Sequence, residues 1–314
     1  MIFPWRIFVT IVPLMIALLA LQFFVPDTEL RATMAESWWQ SQLKPAAYSG
    51  GFIGYATAVS VHILICIVVI AFNLYHIRAC EKSSRRRLLS IAIAYLLLLS
   101  GLLIATNHPG LAAYKITFLN FRELYAGSHL FDVLQTMLGV QVIVPTLFGI
   151  AAVIFAATGA ESLFVDFDKE APKLSEAELK AKIAILKRGF QSLSIVLVST
   201  TIAAAVFFHL PARLYKEDGE KIVTAYADEV TIFWGAIFTL TLIATYAPHL
   251  FRLRSLSKSY AKALKRSADG SGLPEWLSDT ALFGNFKTHL TTLFTLLAPL
   301  ITGSLSTIIQ SLPL

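Results

Sequence analysis

The chain reads FIGYATAVSVHILICIVVIAFNLY over Phe52–Tyr75, HIRACEKSSRRR over residues 76–87, and LLSIAIAYLLLLSGLLIA over Leu88–Ala105. Two uncharged runs of 24 and 18 residues flank a short basic turn. As helices, such runs cross about 30 Å of hydrocarbon at about 1.5 Å per residue. A water-soluble surface helix of equal length would carry a charged face, and neither run has one. The pattern predicts an all-α fold, a polytopic bundle of transmembrane helices.

The same pattern recurs on both sides, at Ile7–Val25, Val133–Thr158, Gln191–Leu210 and Val230–Leu250, which makes about six spans without Asp, Glu, Lys or Arg. Whole-chain composition agrees. Only 15% of residues are charged and the mean hydropathy is +0.67, whereas soluble domains carry about 25% charge. The first run follows Arg6 and imitates a signal peptide. It is too long for that, and no A-x-A site follows it, so it is expected to be the first span.

Basic residues set the orientation. With the N-terminus inside, the inner segments hold 19 Lys and Arg against 7 outside, while the acidic residues divide ten to ten. The expected setting is a bacterial cytoplasmic membrane with the N-terminus and the basic loops in the cytoplasm. Arg85–Arg87 is then a topology anchor, with anionic-lipid contact as an addition. The net charge of +6 has the same explanation, and no nucleic-acid motif accompanies it. Cys66 and Cys80 are too few for a disulfide framework or a Cys-based zinc site.

Of the 19 inner basic residues, 13 lie after span four, largely on what read as helical continuations of spans five and six. Ser175-Glu176-Ala177-Glu178 is a capping box. Behind it Leu179, Ile183, Leu186, Phe190 and Leu193 hold one apolar stripe into span five. After span six, Leu253, Leu256, Tyr260 and Leu264 lie opposite Arg252, Lys258, Lys262 and Lys265. Two cytoplasmic stalks are expected, packed on each other rather than flat on the headgroups. Lys258, Lys262, Lys265 and Arg266 form the candidate surface for a cytosolic protein partner or an anionic lipid.

The chain therefore divides into a four-span membrane region (1–160), a two-span hairpin with amphipathic stalks (161–270) and a hydrophobic C-terminal segment (271–314). In the last, Leu290–Ile309 is uncharged and long enough to span, but Pro299 and Gly303 interrupt it. The reading favours packing beside the stalks on the inner side, with a seventh span as the alternative. Outside, Trp38-Trp39 suit an interfacial helix, and the aromatic 107–132 loop should fold onto the membrane surface. No internal repeat is evident, which weakens a transporter architecture.

Candidate chemistry is sparse. His62 is the one ionisable group near a span centre. A relay or ligand role competes there with a neutral imidazole hydrogen-bonded to a neighbouring helix, and the second is favoured. His62 and His76 are fourteen apart, as in two-haem helices, yet no second helix supplies matching histidines, so no cofactor or metal is expected. His129 and Asp132 suit a helix cap better than an acid–base pair. Motifs of metalloproteases, α/β-hydrolases and P-loop enzymes are missing, so no catalytic residue is assigned and the chain reads as a non-enzyme.

Helix-packing signals are stronger. Ala152, Ala156 and Ala160 form a small-xxx-small ridge on span four, as do Ser199 and Ala203 on span five. Such ridges allow close approach within the chain or between copies. Gln135 and Gln141 also lie on span four, which Pro145 should kink. They would line a wet path or, more simply, satisfy their amides inside the bundle. The functional expectation is a protein acting through assembly: an oligomeric channel or membrane-permeabilising pore in a lipid bilayer. A membrane anchor or signalling subunit using the basic stalks is the first alternative. The second is a transporter of a neutral or hydrophobic solute, on the premise that no buried charge is available for ion coupling.

Overall fold

The computed structural model describes residues 5–23, 50–106, 129–164, 176–210, 217–267 and 297–302. Six long helices account for nearly all of them: α1 Trp5–Phe23, α2 Gly50–Arg78, α3 Lys82–Thr106, α4 His129–Ser162, α5 Glu176–His209 and α6 Glu217–Ser267. No strand occurs among the described residues. The protein is an all-α helical bundle, as the uncharged runs require. Helices are imposed because lipid offers no partner for backbone N–H and C=O groups, so each segment must satisfy its own.

Five helices, α2 to α6, are long and apolar enough to cross a membrane, and α1 adds a shorter apolar stretch over Arg6–Ala17. Both stalks are continuous with their spans. α5 begins at Glu176, immediately after the Ser175 of the capping box, and runs 34 residues without a break. α6 runs 51 residues, about 77 Å at about 1.5 Å per residue.

α4 occupies the centre. It packs against each of the other five helices, and the neighbour pairs α2–α5, α5–α6, α6–α1, α1–α3 and α3–α2 close a ring around it. Small residues make this position possible. Ala152, Ala156, Ala157 and Ala160 are all buried, so the ridge on α4 serves close packing inside the chain. Asn73 of α2 presses so closely on Gly159 that a Cβ there would collide with its side-chain amide. α2 and α3 are the least buried spans. Val61, Leu64 and Val68 on α2 and Ile93, Leu97 and Leu98 on α3 face outward, as lipid-facing residues do.

Contacts establish which helix ends lie together. Arg6 at the start of α1 meets Glu161 at the end of α4, which meets His249 of α6. Cys80, after α2, contacts the Ser162 carbonyl. This is the stalk end. At the opposite, hairpin end, His209 closing α5 meets Asp228 of α6. The exposed aromatics Tyr75 and Phe251 sit at the stalk end, where a membrane–water boundary favours such rings.

The apolar stripe of the α5 stalk is buried at Leu179, Leu186, Phe190 and Leu193. Phe190 packs edge-on against Tyr246 of α6, ring centroids 5.3 Å apart, and Leu253 continues the α6 side of the contact. Residues 297–302 are helical, and their position differs from the expected one. A Cβ on Gly235 would lie 2.9 Å from the Pro299 carbonyl, so the segment sits against the hairpin half of α6 and not beside the stalks. The physical reason is space: a glycine on an otherwise apolar span lets a proline-interrupted backbone approach, and an uncharged segment gains most by leaving water.

Candidate functional site

α4 ends with Gly159-Ala160-Glu161-Ser162, and the last carbonyls of a helix have no partner within it. Basic groups from three other elements gather there. Lys182 of α5 donates to the Leu163 carbonyl at 2.7 Å. Arg252 of α6 lies 5.1 Å from the centroid of the Phe164 ring and reaches that residue's carbonyl at 3.5 Å. Positive charge at a helix C-terminus also complements the helix dipole.

Glu161 sits in the middle of this arrangement. Arg6 Nη1 donates to both of its oxygens at 3.1 Å. On the other side His249 Nε2 lies 3.1 Å from Glu161 Oε2. The His249 side chain is 0% exposed and that of Glu161 15%, so the pair is largely withdrawn from water. His249 Nδ1 is 2.7 Å from the Thr245 carbonyl. A carbonyl only accepts, so Nδ1 carries a proton and donates. Nε2 then faces the carboxylate oxygen. The ring stacks obliquely on Phe164, centroids 5.7 Å apart, which completes its apolar enclosure.

The same construction recurs at the hairpin end. His209 Nδ1 donates to the carbonyl four residues back, Ala205, at 2.8 Å, and Nε2 meets Asp228 Oδ1 at 2.9 Å. Each histidine is oriented by its own helix and joined to a carboxylate on another. Charge is thus kept out of the spans but locked between helices at both ends of them.

His62 stands between these levels and is 1% exposed. Its Nδ1 is 2.9 Å from Ser199 Oγ of α5 and its Nε2 is 3.3 Å from the Pro145 carbonyl of α4. Nε2–H donates to that carbonyl, and Nδ1 pairs with the Ser199 hydroxyl, whose oxygen also lies 2.8 Å from the Val196 carbonyl. Gly149 of α4 lies beside the ring, where a Cβ would stand in ordinary contact, 3.5 Å from Nε2. Cys66, one turn along α2, is 3.5 Å from the same nitrogen. His62 is a three-helix polar junction.

The other residues singled out by sequence fall as follows. Ser199 contacts His62 and donates within α5, while Ala203 is buried. Gln135, Gln141, His129 and Asp132 belong to α4, and Lys258, Lys262, Lys265 and Arg266 to α6, but their side chains lie outside the described ones. Trp38, Trp39 and the loop before α4 also lie outside the described residues. Among the described residues no group of three or more His, Cys, Asp or Glu gathers to hold a metal.

The Glu161 cluster was not expected from sequence. Glu161 lies just past the drawn end of span four, so the spans as drawn stay free of charge while a partly buried carboxylate adjoins them. The usable signal was depth: Arg6, Glu161 and His249 each adjoin the end of a span that the charge pattern assigns to one side.

Fold and site together define a multi-pass α-helical membrane protein. No protein-family model, curated protein or solved structure matches this chain.

Proposed function

We propose that the protein is a membrane anchor that recruits an anionic partner through the basic end of α6. One observation carries this reading. α6 continues as a single helix to Ser267, and its residues after Leu250 include Arg252, Arg254, Lys258, Lys262, Lys265 and Arg266 without an acidic residue. A helix that continues its own span extends about 25 Å past Leu250, and six cations on such a rod favour an acidic protein surface or anionic headgroups. The positive-inside pattern assigns this end to the cytoplasm of a bacterial cell. The test replaces Lys258, Lys262, Lys265 and Arg266 with Glu and compares what co-purifies from gently solubilised membranes. Loss of an acidic cytosolic protein supports the reading, and an unchanged co-purification profile overturns it.

A channel or pore formed by assembly of several copies is the second reading. It is favoured by three buried histidines at three levels of the bundle, two of them joined to partly exposed carboxylates: His209–Asp228, His62 and His249–Glu161. The centre of the protomer is filled by the small-residue face of α4, so a conducting path belongs between copies. Purified protein in liposomes should then pass current or release an entrapped dye, and silence at high protein density counts against it.

A further inference from the structure

Deeper than the Glu161 cluster, a cavity of about 10 Å³ lies between α2, α4, α5 and α6. Asn73, His76, Gly159, Gly189 and Tyr246 are among the residues lining it. That is room for about one water, which also needs two to four polar partners. The lining supplies them. Tyr246 is 1% exposed, and its hydroxyl has no hydrogen-bond partner among the described residues. Asn73 uses its Nδ2 to donate to the Val69 carbonyl at 2.8 Å, which leaves Oδ1 as an acceptor. The His76 imidazole borders the same space.

Two glycines keep this space open. A Cβ on Gly189 would stand 2.9 Å from the Tyr246 hydroxyl oxygen, and one on Gly159 would strike Asn73 Oδ1. An apolar core would gain by filling such a volume with a methyl group. A buried hydroxyl, by contrast, is costly unless something pairs with it.

We propose that this cavity is a binding site for a single water molecule, which accepts a hydrogen bond from the Tyr246 hydroxyl and donates one to Asn73 Oδ1. Tyr246 precedes His249 by three residues on α6, so the two side chains share a helix face. The water site thus lies about one turn of α6 from His249, bordered by His76 of α2 and Gly189 of α5.

The full-length protein in lipid nanodiscs, solved at a resolution that shows ordered water, should have a peak within hydrogen-bond distance of both Tyr246 Oη and Asn73 Oδ1. Tyr246→Phe should lose the peak and lower the thermal midpoint by several degrees, because the water and Asn73 lose a donor. Gly189→Ala should expel the water by placing a methyl against the hydroxyl. A wild-type structure without the peak overturns the proposal. A Tyr246→Phe variant as stable as wild type, or more stable, also overturns it, since removing an unpaired hydroxyl relieves the bundle.

Discussion

The His249 imidazole and the Glu161 carboxylate, 88 residues apart in sequence, meet at 3.1 Å between α6 and α4, with Arg6 of α1 closing the other side of the carboxylate. Three helices of the bundle are tied at one level by one acid. Replacing a partly buried ion pair as a unit is nearly neutral, whereas removing one partner strands the other. Glu161→Ala should therefore cost about 3 kcal/mol, read as a lower midpoint in thermal or denaturant unfolding in detergent. Adding His249→Leu should recover part of that loss, since the stranded imidazole is then gone. A double variant as unstable as the sum of the single changes would show that the two residues do not act as a pair.

The spans were legible in sequence because lipid enforces them: an uncharged run of sufficient length has few ways to exist except as a crossing helix. The α5 stalk was legible because Leu179, Leu186, Phe190 and Leu193 keep helical spacing straight into the span, and all four are buried. The Glu161 cluster was not legible. Arg6, Glu161 and His249 stand at span ends, where charges ordinarily face headgroups, and only the closed ring around α4 makes them neighbours. The place of residues 297–302 was hidden for a related reason. An uncharged segment must be covered, but the approach is made at Gly235, on a helix far away in sequence.

α4 is central because its residues are small, so enlarging them should be worse than trimming the rim. Ala156 is 0% exposed, and Ala156→Leu forces overpacking that costs about 1–3 kcal/mol or more. Leu97, 68% exposed on α3, faces outward, and Leu97→Ala should leave the unfolding midpoint unchanged within error. Size-exclusion profiles of the two variants in mild detergent provide a second reading. An Ala156→Leu protein indistinguishable from wild type would remove α4 from the centre of the bundle.

His62 gives a graded expectation. The Ser199 hydroxyl bridges to it from α5 at 2.9 Å, so Ser199→Ala should cost about 1 kcal/mol. Ser192 on the same helix is half-buried and donates to its own turn, at 2.8 Å to the Arg188 carbonyl, so Ser192→Ala is the matched control with no expected effect. If His62 also works in a conducting assembly, His62→Gln should alter liposome flux while leaving the unfolding midpoint close to wild type. A change in both together would assign the histidine to packing.

The close approach of α2 to α4 at Gly159 offers a compensation test. Asn73 of α2 occupies the space where a Cβ on Gly159 of α4 would stand, and both residues line the cavity between those helices. Gly159→Ala should destabilise the bundle by about 1–3 kcal/mol, because the helices must separate or the amide must leave its place. Asn73→Ala removes the obstruction, at the loss of the hydrogen bond from its amide to the Val69 carbonyl. The Gly159→Ala/Asn73→Ala protein should then be more stable than Gly159→Ala alone, measured by thermal unfolding in the same detergent. Additive losses would mean that the two side chains do not contend for one space, and the packing of α2 on α4 would need another register.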